Sequence, residues 1–83
     1  MTEVLVVSSP TCHLCADALH ALAELSLEFP LAVREVGWDS VEGRTITDAH
    51  RPGLQPVVLV DGRLFSTGRL PRRKLRAYLE RVR

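Results

Sequence analysis

Between Glu3 and Val36 the chain passes from one short apolar run to another by way of an amphipathic helix, and that succession leaves few folds open. Glu3 to Val7 reads EVLVV, nearly all apolar, as expected of a central strand covered on both faces. Ser8 to Thr11 form a loop, and a helix is expected from about Cys12 to Glu28, stopped by Pro30. At 100° per residue, Leu14, Cys15, Ala18, Leu19, Leu22 and Leu25 share one arc of that helix, while His13, Asp17, His20, Glu24 and Glu28 share the opposite one. Leu31 to Val36, LAVREV, reads as a second strand, and Arg34 with Glu35 points to a less buried or edge position. Two strands joined by a helix pair in parallel through a right-handed crossover.

The rest of the chain completes the pattern. Asp39 and Glu42 fit a capping box for a helix over about Ser40 to His50. Gly43 inside that helix is expected to cost about 1 kcal/mol relative to alanine. RPGLQP, residues 51 to 56, is a turn-rich connection. VVLV (57–60), Asp61-Gly62 and RLFST (63–67) then spell a hairpin with a two-residue turn. Pro71 is well placed near the first position of a last helix with an apolar stripe of Leu75, Tyr78, Leu79 and Val82. Phe65 and Tyr78 read as core residues. Trp38 reads as packing at a strand end, with a rim of a binding site as the other reading. The expected fold is therefore α/β, in the order βαβαββα, with a mixed four-stranded sheet and helices on both faces.

The chain is 83 residues long, which is room for one domain over residues 1–83. No apolar run approaches the roughly 20 residues of a membrane span. The N-terminus MTEVLVVSSP has no basic stretch and no small-residue cleavage site, so the expectation is a cytoplasmic protein. Both cysteines, Cys12 and Cys15, lie in PTCHLC at the junction of the first strand and first helix. In a reducing compartment such a pair is a redox couple or half of a metal clip more readily than a structural staple. The junction is also the carboxyl end of a central strand, where open α/β sheets place their sites.

Taken together, PTCHLC after the first strand, GLQP opening the third, and VVLVDGRLFSTGRL after it resemble the thioredoxin superfamily, and most nearly its small glutaredoxin-like members. The resemblance covers essentially the whole chain. It implies a dithiol–disulfide oxidoreductase acting on protein or small-molecule disulfides, with Cys12 and Cys15 as the catalytic pair. It also implies that Pro56 is a cis-proline beside the thiols and that Gln55 offers backbone groups to an extended substrate. Thr11, next to Cys12, joins them as a substrate-binding position. Glutathione-binding glutaredoxins usually carry a Gly-Gly-x-Asp type loop after the fourth strand. Here STGRLPRR has one glycine, Gly68, and no acid, which argues against glutathione binding. Thioredoxins carry Trp-Cys-Gly-Pro-Cys and a buried acid, whereas the first strand here supplies no carboxylate after Glu3.

Thiol–disulfide exchange needs a thiolate, room for attack and a second thiol to release the mixed disulfide. A helix start favours the Cys12 anion through free N–H groups and the positive dipole end. Cys15, one turn on and deeper on the apolar arc, is placed to resolve the intermediate. Lowering the Cys12 pKa from ~8.5 to ~6.5 would raise the thiolate fraction at pH 7 roughly 25-fold. The accompanying loss of nucleophilicity is about 8-fold, for a net gain of only about 3-fold. Speed must therefore come mostly from positioning. His13 and His20 lie on the polar arc, so His13 is expected to tune the site weakly and His20 to be a surface residue.

Two other functions fit the same residues. A zinc or copper(I) module would use Cys12 and Cys15, but a closed zinc site needs four ligands and this pair offers two. PTCHLC is also similar to the Met-x-Cys-x-x-Cys loop of copper chaperones, whose βαββαβ order differs from this one; no metal is expected. The second alternative is a non-catalytic adaptor working through its last helix. Residues 69 to 83 carry a net +6 against −5 for residues 1 to 68, which suits an acidic partner, or nucleic acid less well, while a solvated helix face is the plainer reading. The redox reading implies no tightly bound cofactor beyond the redox-active disulfide. It further implies a disulfide-containing protein substrate, glutathione or a thioredoxin reductase as electron donor, no membrane, and a monomer.

Overall fold

The computed structural model describes residues 1–51 and 53–82; Pro52 of the turn-rich connection and Arg83 of the basic tail lie outside them. The elements run β1 (Thr2–Ser8), α1 (His13–Leu25), β2 (Leu31–Gly37), α2 (Val41–His50), β3 (Val57–Val60), β4 (Arg63–Thr67) and α3 (Arg72–Val82). The sheet order is β2-β1-β3-β4. β1 pairs parallel to β2, from Thr2 with Leu31 to Ser8 with Gly37, and antiparallel to β3, with Val7 opposite Val57. The mixed four-stranded sheet read from the sequence is the one formed, with β2 at an edge.

Alternation along the strands sends side chains to two layers. Val4, Val6, Val58 and Val60 pack under α1 and α3, against Ala18, Leu22, Leu75 and Leu79. Val7, Val57 and Leu59 face the other way, where Leu5, Val36 and Ile46 of α2 cover them. β1 contributes to both layers, which is why its run is apolar without alternation.

Several expectations are corrected. α1 ends at Leu25, not Glu28: Phe29 is buried in the core, and its N–H donates to Leu25 O at 2.9 Å. Seating that ring turns the chain before Pro30 is reached. α2 is capped by Ser40 rather than Asp39, its Oγ accepting the Gly43 N–H at 3.0 Å and donating to Gly37 O at 2.7 Å. Glu42 makes no capping box; it forms a two-pronged ion pair with Arg34, at 2.6 and 2.7 Å. Gly43 is buried, and a β-carbon there would drive into the Gly37 carbonyl. Val82 is half exposed, outside the core stripe. Phe65 and Tyr78 are partly buried and pack against the core from its margin, edge to face with centroids 6.4 Å apart.

The hairpin turn takes left-handed backbone at Asp61 (φ 50°) and Gly62 (φ 82°), the pair of conformations that Asp-Gly serves in a two-residue turn. Pairing steps from Leu59–Leu64 to Val58–Ser66, so Phe65 is the extra residue of a bulge. Asp61 accepts from the Glu3 N–H at 3.0 Å and from the Tyr78 hydroxyl at 2.9 Å. Those two hydrogen bonds, the backbone one foremost, hold its carboxyl below the usual range. A depressed folded-state pKa adds stability that is present above the unfolded value and lost as pH falls through the folded one. We expect Asp61→Asn to lower the thermal midpoint at pH 7. The gap to wild type should close as pH falls below about 4, as read by circular dichroism melts across that range. A gap that stays constant with pH would contradict this.

Candidate active site

Cys12 is the N-cap of α1. Its backbone is extended (φ −96°, ψ 110°), and its sulfur accepts the Cys15 N–H at 3.1 Å. The first turn of a helix has N–H groups without intrahelical partners and the positive end of the dipole, and here one such N–H, that of Cys15, points at the sulfur. Below it, Cys12 N–H donates to Ser9 O at 3.3 Å, and Ala16 N–H to Cys12 O at 3.2 Å. Cys12 and Cys15 are joined as a disulfide with Cα atoms 5.2 Å apart, inside the usual span. Cys15 is 2% exposed, whereas Cys12 is partly exposed. A reacting group from solvent therefore meets the Cys12 sulfur first.

The Gln55–Pro56 peptide is cis. Pro56 is buried just before β3, and the pairing of Val57 with Val7 sets it beside the end of β1, where the loop to Cys12 begins. Gly68 N–H donates to Pro56 O at 3.0 Å, tying the end of β4 to the same place. Thr11 is exposed, Gln55 partly buried and Leu54 largely exposed. Thr11, Cys12, Gln55 and Pro56 thus gather at one end of the sheet. His13 is exposed, and the hydrogen bond to the Cys12 sulfur comes from the Cys15 backbone rather than from its ring. His20 is exposed. Among the described residues no three His, Cys, Asp or Glu side chains come together as metal ligands, and no helix is long and apolar enough to cross a membrane.

Similar folds are found among solved structures. Oxidised thioredoxin O2 of Arabidopsis thaliana superposes with a TM-score of 0.70 at 15% identity, covering 99% of this chain and 75% of that one. Oxidised mitochondrial thioredoxin 3 of Saccharomyces cerevisiae gives 0.69 at 18%, covering 96% and 77%. A mutant thioredoxin of Halobacterium salinarum NRC-1 gives 0.67 at 18%, covering 96% and 73%. The chain has the thioredoxin fold. No family model matches the sequence, and neither does any curated protein. The likeness is one of architecture.

On this thioredoxin fold the site has a second flank around Trp38, for which packing at a strand end is the first reading from sequence and a site rim the second. Trp38 is half exposed rather than packed away, and with Ser8, Pro10, Glu35 and Asp39 it borders a cleft of about 270 Å³ beside the loop leading to Cys12. Two bonds shape that flank: Trp38 N–H donates to Ser8 O at 2.8 Å, and the buried Ser8 hydroxyl donates to Glu35 Oε2 at 2.5 Å. The signal was present in the parallel register, which puts Ser8 and Glu35 on one face two residues apart, but the register itself is not written in the sequence.

Proposed function

We propose that this protein is a dithiol–disulfide oxidoreductase of glutaredoxin-like type, cycling between Cys12/Cys15 thiols and their disulfide. The observation that carries the reading is the disulfide itself, with one sulfur at the N-cap and reachable, the other buried one turn later. In the reduced protein the Cys12 thiolate would keep the Cys15 N–H as its donor. It attacks a substrate disulfide, forming a mixed disulfide and expelling one substrate thiolate, which takes up a proton. The Cys15 thiolate then attacks the Cys12 sulfur, closing the internal disulfide and releasing the second substrate thiol. Two electrons and two protons leave the protein and reduce one disulfide to two thiols. Two glutathione molecules, or the dithiol of a thioredoxin reductase, restore the pair and are themselves oxidised to a disulfide.

Thr11, Gln55 and Pro56 would line the channel along which an extended substrate approaches, and His13 stands as an exposed neighbour. The absence of an acid in the 66–73 stretch favours a protein dithiol over glutathione as donor. The test is turnover of bis(2-hydroxyethyl) disulfide and of a disulfide-bonded protein, each coupled to NADPH through glutathione and its reductase or through thioredoxin reductase. Catalysed oxidation of NADPH with at least one couple supports the reading. No turnover with either, by protein that starts fully reduced, overturns it.

A further inference from the structure

The basic tail is not one uniform face. Arg72 is bridged to Asp17 at 2.9 Å and Glu24 at 3.3 Å, and Arg76 to Glu28 at 2.6 Å, so acids of α1 and the turn after it neutralise the inner side of α3. Arg69, Arg73 and Lys74 are exposed and have no carboxylate partner among the described residues; Lys74 lies 5.3 Å from the Phe65 ring centroid. Together with the Arg72–Asp17 ion pair, these three cations border one cleft of about 520 Å³ over Leu70 and Pro71.

That cleft is at the thiol end of the molecule. Residues 72 and 76 of α3 meet residues 17 and 28 in the same order, so α3 runs alongside α1 in the same direction and its first turn faces the end that carries Cys12. Asp17 is five residues past Cys12, about 7.5 Å along the helix axis. The hydrogen bond from Gly68 N–H to Pro56 O holds the chain just before Arg69 against the start of β3. Arg81 is at the far end of α3. The first turn of α3 contains no acid of its own; Asp17 and Glu24 answer Arg72, which leaves Arg73 and Lys74 opposing the positive end of the dipole. A carboxylate arriving from outside would offset both the dipole and the crowded cations.

We propose that Arg69, Arg73 and Lys74 form a docking rim that selects protein substrates carrying acidic residues next to the disulfide to be reduced. This rests on the oxidoreductase reading above and adds the substrate class to it. Attraction at the rim acts before the exchange step, raising the encounter rate for an acidic segment and lowering it for a basic one.

Two disulfide peptides of matched sequence test it, one flanked by glutamates and one by lysines, with bis(2-hydroxyethyl) disulfide as a neutral substrate. At low ionic strength the wild-type kcat/KM should favour the glutamate peptide by about tenfold or more. The advantage should shrink to about twofold or less in 0.5 M salt. Arg69→Glu with Arg73→Glu should erase or invert the ratio, while Arg81→Glu, a charge change at the far end of the same helix, should leave it. Equal wild-type rates for the two peptides would overturn the proposal. So would a ratio that survives the double reversal, or one that moves as much in Arg81→Glu. Reduction of the neutral disulfide without discrimination between peptides removes the docking rim alone; no reduction of any of the three removes the oxidoreductase reading and the rim with it.

Discussion

Replacing Cys12 by serine should lower kcat/KM for disulfide reduction at least about a thousandfold, the scale on which loss of a covalent nucleophile acts. The reason is local. The Cys15 N–H and the positive end of α1 at Cys12 would favour a thiolate in the reduced protein, whereas a serine hydroxyl in the same place stays protonated at any accessible pH. Cys15→Ser should behave differently, because Cys15 is 2% exposed and in the proposed cycle is not the sulfur a substrate reaches first. In the proposed cycle its attack comes second, so without it Cys12 should still react and the mixed disulfide should accumulate. Mass spectrometry after challenge with a disulfide peptide should show one peptide added to Cys15→Ser and none to Cys12→Ser. An adduct on Cys12→Ser, or turnover retained by it, would reverse the assigned order of the two sulfurs.

Gly43→Ala should destabilise the protein by at least about 2 kcal/mol, in the range of overpacking that cannot relax. On helix propensity alone the sign is opposite, since alanine exceeds glycine by about 1 kcal/mol inside a helix. What reverses it is the approach of α2 to the end of β2. The added carbon would meet the Gly37 carbonyl, a backbone atom with no rotamer to escape into, and would press on the Ser40 hydroxyl that caps the helix. For a chain of this size the thermal midpoint should fall by about 10 °C or more. The neighbouring Trp38 N–H to Ser8 O bond ties this corner to the loop before Cys12, so the variant should also lose some activity well below its melting point. A midpoint at or above wild type would show that α2 can move away from β2 freely.

The element order was legible because each element carries its own local signal. EVLVV and VVLV mark strands buried on both sides, Asp61-Gly62 sets the hairpin, and the arc through Ala18, Leu22 and Leu25 sets α1. Cys12 at a helix start and proline before the third strand were equally local. Misreadings arose where a tertiary contact decided between local alternatives. Asp39 and Ser40 are both good caps, and the choice follows from the Gly37 carbonyl that Ser40 reaches. Glu42 fits a capping box by pattern, but Arg34 on the edge strand takes it. Phe29 ends α1 early because its ring has a place in the core. The split of the basic tail into paired and unpaired cations depends on acids of α1 and the turn after it, up to 55 residues away in sequence, and no periodicity within the tail reveals it.

As a redox pair, Cys12 and Cys15 should exchange reversibly between dithiol and disulfide in a range a cell can drive. Equilibrating the protein across a series of thiol–disulfide buffers and counting free thiols measures this directly. A single reversible two-electron transition is expected, near −270 mV if the pair is thioredoxin-like or between about −200 and −230 mV if it is glutaredoxin-like. Thiols that stay reduced across the whole series, or a disulfide that no buffer opens in the folded protein, would contradict it.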